Sequence, residues 1–270
     1  MKNKTTSPDV ILVTGASSGI GKSIAEYLAR QGHIVYGTSR KPELYPDSGF
    51  TMLKMDVCDA VSVEAAIGSV IQQEAKIDVL VNNAGYGIGG AIEETSPEKV
   101  EAQFNTNFFG AYRVLHRVLP QMRKQGGGLI INMSSIGGVI GLPYQGIYSA
   151  SKFALEGLTE ALYKELYGSG IRVVMIEPGD FKTGFTQNRE IITAKDGRDR
   201  FEASRRVIEH DEQSGQSPLK IAYLVERIMN SKNPRLRYAV GAFDQKLSII
   251  LKKILPNRMF DKIIMKYYKC

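Results

Sequence analysis

Tyr148 and Lys152, in the stretch YSASK, stand four residues apart. On a helix that spacing is about one turn with ~6 Å of rise, so both side chains can face one crevice. A tyrosine can give a proton to a carbonyl oxygen or take one from an alcohol. Its reference pKa near 10 lies about three units above neutral pH, a gap of ~4 kcal/mol that an adjacent ammonium such as Lys152 would narrow by favouring the phenolate. Ser135, thirteen residues before Tyr148, offers a hydroxyl to hydrogen-bond the substrate oxygen. A tyrosine and a lysine at this spacing also occur on helices for structural reasons alone. What sets this pair apart is the glycine-rich turn earlier in the chain.

That turn is TGASSGIG at 14–21, between an apolar run and a helical pattern. At Gly15, Gly19 and Gly21 the missing side chains let backbone N–H groups and the helix N-terminus approach a pyrophosphate, with Ser17, Ser18 and Ile20 completing the turn. The spacing is TGxxxGxG, not GxGxxG, and a glycine triplet can be no more than a turn; its place after the first strand favours nucleotide binding. An acidic residue closing the second strand would hold the ribose hydroxyls of NAD. Here the strand ends in Thr38, Ser39, Arg40 and Lys41, so a 2′-phosphate would meet positive charge and no carboxylate. NADP(H) is therefore expected over NAD(H), bound in part by Ser39, Arg40 and Lys41; the alternative is a solvated basic loop.

These residues need elements to position them. Short apolar runs at 10–14, 34–39, 52–57, 77–82, 129–134, 171–177 and 236–240 alternate with helical patterns at 20–30, 60–74, 97–124, 147–168 and 218–230. Strands apolar on both faces, alternating with helices, predict an α/β fold: a single-domain doubly wound parallel sheet (Rossmann fold) of about seven strands with helices on both faces. Ligands in such a fold bind beyond the C-terminal ends of the strands, where this chain repeatedly places glycines and small polar residues. The expected organisation is a domain over 1–243, with a charged, weakly periodic stretch at about 180–217 as a substrate lid, and a tail over 244–270.

Composition narrows the class. With 270 residues, 43% hydrophobic and 23% charged, the chain can bury a substantial core. Cys58 and Cys270 form no CxxC or His/Cys cluster, and His33, His116 and His210 have no metal-ligand spacing, so neither a disulfide framework nor a metal site is expected. The N-terminus lacks the apolar segment of a secretory signal. The uncharged stretch from Gln125 to Ser151 is too rich in Gly, Ser, Asn and Pro for a membrane span. A cytoplasmic location follows as the expectation. Of the net charge of +7, the segment Lys246 to Cys270 supplies +6, seven Lys/Arg against Asp261, so the charge describes the tail and gives no reason to expect nucleic acid.

Taken together, TGASSGIG at 14–21, NNAG at 82–85, Asn107, Ser135, YSASK at 148–152, and Pro178 and Gly179 with Thr183 resemble the short-chain dehydrogenase/reductase family over about residues 9–241. The resemblance implies Tyr148 as general acid/base and Lys152 binding the nicotinamide ribose and lowering the tyrosine pKa. It further implies Ser135 orienting the substrate carbonyl and Asn107 anchoring a proton-relay water. By the same carry-over Asp56 and Val57 border the adenine, Asn83, Ala84 and Gly85 line the cofactor, and Pro178, Gly179, Phe181 and Thr183 hold the nicotinamide end. Arg40 matches a place where NADP-preferring members often carry a base. Two positions depart from the pattern: Ser18, where many NADP-dependent members carry Arg or Lys, and Phe181, where an aliphatic residue is more usual. The resemblance also implies a homodimer or homotetramer.

Tyr86, Ile88, Ile136, Val139, Ile140, Leu142, Tyr144 and Phe181 would form a mostly apolar wall around the substrate, with Tyr86, Ile140, Ser135 and Tyr148 as its contacts; these residues could equally be core. With YSASKFALEGLTEAL and RYAVG, that wall resembles the hydroxysteroid and retinol dehydrogenase branch. In the tail, Leu247, Ile250, Leu251 and Ile254 follow helical spacing among Lys246, Lys252 and Lys253. Such a helix can lie on an anionic membrane as a peripheral contact, close the substrate cleft, or pack in a dimer. The expectation is an NADP(H)-dependent oxidoreductase interconverting a lipophilic ketone or aldehyde and an alcohol. The rivals are a broad-specificity reductase of small carbonyl compounds and a non-catalytic NADP(H)-sensing module.

Overall fold

The run VILV at Val10–Val13 (β1) is buried at all four positions, which a strand achieves only inside a sheet covered on both faces. The computed structural model describes residues 7–185, 189–192 and 198–270. Around β1 it assembles β2 (Ile34–Ser39), β3 (Thr51–Lys54), β4 (Val79–Asn82), β6 (Gly128–Met133), β7 (Ile171–Pro178) and β9 (Arg237–Val240) into one seven-stranded sheet of order β3-β2-β1-β4-β6-β7-β9, parallel throughout. Strand order reverses between β1 and β4, which opens a crevice at their C-terminal ends. β5 (Ile88–Gly89) and β8 (Glu190–Ile191) form a separate parallel pair beside it.

Each face has its own core. On one, α2 (Ala60–Glu74), α4 (Ala111–Lys124) and α5 (Gly146–Glu165) bring Val63, Ile67, Val114, Val118 and Leu162 onto Leu12, Leu80 and Ile130. On the other, α1 (Gly19–Arg30) and α7 (Leu219–Met229) pack Ile24, Leu28, Ile221 and Val225 onto Val13, Val81 and Ile131. Alternate residues of each strand thus serve opposite cores, as its two-residue period requires.

Two stretches differ from the sequence reading. The helix expected over 97–124 is α3 (Pro97–Phe104) and α4 joined by a π-helical turn, Asn105–Gly110. Close packing of Gly110 accompanies the turn: a Cβ there would lie 2.7 Å from Val57 Cγ2. The expected lid, part of which lies outside the described residues, contains a sixteen-residue helix, α6 (Arg198–Gln213). It buries Phe201, Ser204, Ile208 and Glu212, a helical stripe with only two apolar members, which is why its period is faint in the sequence. The N-terminal signal reading concerns residues that lie mostly outside the described ones.

The tail forms α8 (Phe243–Ile254) and α9 (Asn257–Tyr268), whose Ile249 and Phe260 pack against Ile136 and Ile140. Among the described residues no helix is long and apolar enough to cross a membrane.

Candidate active site

The crevice is one continuous cleft of about 1380 Å³. One end is the turn after β1. Gly15 and Gly19 have φ of +66° and +56°, the left-handed region that glycine occupies without penalty. At Gly15 a Cβ would lie 2.9 Å from Ala84 Cα, and at Gly21 2.4 Å from the Gly15 carbonyl oxygen, so side chains are excluded by backbone. Thr14 ties the turn to the loop after β4: its Oγ1 accepts from the Asn83 and Ala84 N–H groups, both at 2.9 Å, while Asn83 Nδ2 donates to the Thr14 and Gly15 carbonyls at 3.0 and 3.1 Å. Ser18 is the N-cap of α1, its side chain makes no capping bond, and no acidic residue stands in the first turn. The helix start is thus open to an anion. Arg40 and Lys41 lie exposed on the cleft rim beyond half-buried Ser39. This cradle fits a dinucleotide pyrophosphate.

At the other end α5 presents Tyr148 and Lys152, 8% and 6% exposed. A buried chain sets its register: Asn82 Nδ2 donates to Asn132 Oδ1 at 3.0 Å, Asn132 Nδ2 to Thr159 Oγ1 at 2.8 Å, and Thr159 Oγ1 to the Leu155 carbonyl at 2.6 Å. Lys152 Nζ donates to the Met133 carbonyl at 2.8 Å and stands 5.9 Å from the Tyr148 ring centre. Burial pushes the Tyr148 hydroxyl up to about 12, the Ser135 hydroxyl beside it and Arg189 pulling the other way and Glu212 and Asp180 adding to the rise. Burial pushes Lys152 down to about 8. Tyr148 is therefore protonated at neutral pH, the form that donates to a carbonyl. Ser135 Oγ accepts from Gly137 N–H at 3.0 Å.

Of the residues singled out in the sequence, Gly15, Ser17, Ser18, Gly19, Ile20, Ser39, Arg40, Lys41, Asp56, Val57, Asn83, Ala84, Gly85, Tyr86, Ser135, Ile140, Tyr148, Lys152, Pro178, Gly179, Phe181 and Thr183 all line the cleft. Gly21 and Asn107 stand behind it. Asn107 Oδ1 accepts from Tyr86 N–H at 3.0 Å and its Nδ2 donates to the Tyr86 carbonyl and Ser151 Oγ at 2.9 and 3.1 Å, so its side chain is spent on holding the loop after β4 against α5. Of the expected apolar wall, Tyr86, Ile136, Ile140, Leu142 and Phe181 reach the cleft, while Val139 packs in the cluster with Ile249 and Phe260. Tyr144 instead packs on Phe201, ring centres 5.3 Å apart, and Ile88 is buried in β5.

The sequence reading did not single out Phe185, Arg189, Asp180, Asp211 or Glu212, all on the cleft; Leu247, Leu251, Ile263, Ile264, Tyr267 and Tyr268 from α8 and α9 line it too, in keeping with the cleft-closing role weighed for the tail. Asp180 was within reach, since it directly follows Gly179 at the end of a strand. Arg189 and Glu212 carry no spacing signal. Among the described residues no group of three His, Cys, Asp or Glu side chains could hold a metal ion.

A family model described as short chain dehydrogenase matches residues 9–191. A 3-ketodihydrosphingosine reductase of Bacteroides thetaiotaomicron is 48% identical over 97% of this chain and 98% of that protein. The human 17-beta-hydroxysteroid dehydrogenase type 1 is 34% identical over 85% of this chain and 76% of its own length. Among solved structures, a short-chain dehydrogenase from Streptomyces avermitilis superimposes with a TM-score of 0.81 at 31% identity, covering 98% of this chain and 97% of that one. A Burkholderia phymatum relative in complex with NAD gives 0.75 at 26% identity (85% and 88% covered), and an actinorhodin polyketide ketoreductase with NADPH gives 0.74 at 30% (86% and 95%).

Proposed function

This chain belongs to the short-chain dehydrogenase family, oxidoreductases acting on CH–OH and C=O groups, and on that premise we propose that it reduces the keto group of a long-chain lipid ketone, 3-ketodihydrosphingosine being the leading candidate, with NADPH. The observation that carries the reading is the composition of this cleft. It joins a glycine cradle with a cationic rim, through Tyr148, Lys152 and Ser135, to an apolar wall of Ile136, Ile140, Leu247, Leu251 and Ile264.

The wall suits an alkyl chain, and the likeness to a 3-ketodihydrosphingosine reductase supports a lipid substrate. The absence of a carboxylate at the end of β2, together with Arg40 and Lys41, supports NADPH over NADH. When bound in the cradle, the dihydronicotinamide supplies the hydride for the carbonyl carbon. Ser135 Oγ orients the carbonyl oxygen, and Tyr148 gives that oxygen its proton as the C=O double bond becomes C–OH. Lys152, buried within reach of Tyr148, then favours the resulting phenolate until a proton returns. Asn107 holds the π-helical turn and the loop after β4 in place, and Phe181, Phe185 and Ile208, from the described part of the expected lid, line the cleft where the substrate would sit.

The tail supports contact with a membrane where such a ketone would partition. While Ile249 and Phe260 face inward, Phe243, Ile250 and Ile254 are 77%, 54% and 68% exposed on one side of α8, flanked by exposed Lys246 and Lys253. An apolar stripe edged with lysines matches an anionic lipid surface.

Titration with NADPH and NADH by nicotinamide fluorescence, with long-chain, steroid, retinoid and small ketones added to follow cofactor oxidation, tests the reading. Tighter NADPH binding with turnover of the long-chain ketone is expected. Turnover confined to small carbonyls, or binding without any turnover, overturns it.

A further inference from the structure

The reacting end of the cleft carries acids that ketone reduction alone does not need. Asp180, just beyond β7, lines the cleft with Tyr148. Gln245 on α8 grips it twice: Asp180 N–H donates to Gln245 Oε1 at 3.2 Å, and Gln245 Nε2 donates to Asp180 Oδ2. That leaves Oδ1 for another donor. Also on the cleft, Glu212 of α6 accepts from Arg189 at both oxygens, Nη1 to Oε2 at 3.2 Å and Nη2 to Oε1. The side chains of this pair are 9% and 3% exposed. Phe185 neighbours both this pair and the proton donor, its ring 5.8 Å from the Tyr148 ring and 5.5 Å from the Arg189 guanidinium.

Two independent features of this corner call for a polar ligand. The first is charge. Among the described residues, Asp180, Asp211 and Glu212 gather here with Arg189, whose two Nη atoms are held by Glu212, beside Tyr267, whose hydroxyl donates to Asp211 Oδ2 at 2.8 Å, and Tyr268. Burial first, then Glu212 and Asp211, push the Asp180 carboxyl up to about 7 against the pull of Gln245 and Arg189, so a cation placed beside it would be welcome. The second is a buried donor without an acceptor: Arg189 Nε, in a side chain 3% exposed on the cleft wall, has no hydrogen-bond partner among the described residues. Native structures rarely leave such a group unpaired, and a ligand oxygen would satisfy it.

We propose that this corner is a subsite for an amino group carried next to the reacting carbonyl, with Asp180 Oδ1 accepting from the nitrogen and Arg189 Nε donating to a neighbouring hydroxyl. The inference rests on the reading of the protein as a lipid ketone reductase and names what that reading leaves open: how a 2-amino-3-keto lipid is told from a plain long-chain ketone of the same length. The alkyl chain supplies affinity without distinguishing the two; the acid at the head does.

The test compares kcat/KM for 3-ketodihydrosphingosine and for octadecan-3-one, both with NADPH, in the wild type, Asp180→Asn and Asp180→Glu. A charge-assisted contact at the head is worth about 10- to 100-fold. The wild type is expected to favour the amino ketone by at least about tenfold, Asp180→Asn to collapse that ratio towards one chiefly through KM, and Asp180→Glu to restore part of it. An NADPH dissociation constant kept in each variant shows that the cleft is still folded. A selectivity ratio unchanged in Asp180→Asn overturns the subsite, as does a wild type that reduces both ketones equally well; in both cases the lipid reductase reading stands. If NADPH binds and neither ketone is reduced, both fall together.

Discussion

Removing the two cations after β2 tests the cofactor argument quantitatively. Arg40 and Lys41 are exposed on the cleft rim, with no carboxylate at the strand end to offset them. A phosphate monoester carries about −1.5 to −2 charges at pH 7, and one unit pair at ~4 Å in a water-like dielectric contributes about 1 kcal/mol. Each cation facing a 2′-phosphate therefore contributes about 1.5–2 kcal/mol, a factor of roughly 10–30 in Kd. Arg40→Ala is expected to weaken NADPH about tenfold and Arg40→Ala/Lys41→Ala about 100-fold or more, with NADH changed less than about twofold because it lacks that phosphate. Salt gives an independent check, since the Debye length shrinks from ~10 Å at 0.1 M to ~3 Å at 1 M and exposed charges are screened first. The assay is fluorescence titration of both cofactors at the two salt concentrations. If the double variant keeps the wild-type ratio of NADPH to NADH affinity, or if that ratio ignores salt, the phosphate is not held at this rim and the reasoning is wrong.

Three further outcomes are expected. Tyr148→Phe should lower kcat by about 10²–10⁴ while leaving NADPH affinity within about twofold, because it removes the proton donor and little else; retention of most turnover would reassign the acid. Arg237→Met should destabilise the fold, since Arg237 is the shared partner of Glu156, Glu160 and Glu177, and the Glu156 and Glu177 side chains are only 6% and 4% exposed. Stranding two buried carboxylates costs about 3 kcal/mol, or on the order of 10 °C in Tm, and a melt within ~2 °C of wild type would show that the cluster is not held by this residue. Finally, the triple variant Phe243→Ser/Ile250→Ser/Ile254→Ser should lose flotation with phosphatidylserine liposomes, keeping its turnover of detergent-dispersed ketone; undiminished flotation would exclude the outer face of α8 as the contact.

Much of the fold was legible because a parallel sheet writes itself plainly: strands such as VILV, buried on both faces, have no solvent-facing residues to blur them. The cradle was legible for a related reason, as Gly15 and Gly21 sit where backbone approaches backbone and no other residue fits. The π-helical turn escaped because the apolar period of residues 97–124 runs across it, and its position depends on Val57 meeting Gly110 from a distant loop. The acid corner escaped for a different reason. Asp180, Arg189 and Glu212 come together only through a strand end, a short edge pair and a helix whose buried face is half polar, so none of them announces the others by spacing.

The walls of the cleft come from opposite ends of the chain. The cradle belongs to the first strands and helix, while Leu247, Leu251, Ile263, Ile264, Tyr267 and Tyr268 of the final two helices supply much of the apolar side. Those helices meet the domain through a small separate cluster around Ile136, Ile140, Ile249 and Phe260, apart from the two cores that stabilise the sheet. What the protein accepts can therefore drift with its last two helices while the cradle and the proton donor stay fixed. On the reading proposed above, a graft of these helices between relatives is expected to change which ketones are turned over and to leave the choice of dinucleotide behind.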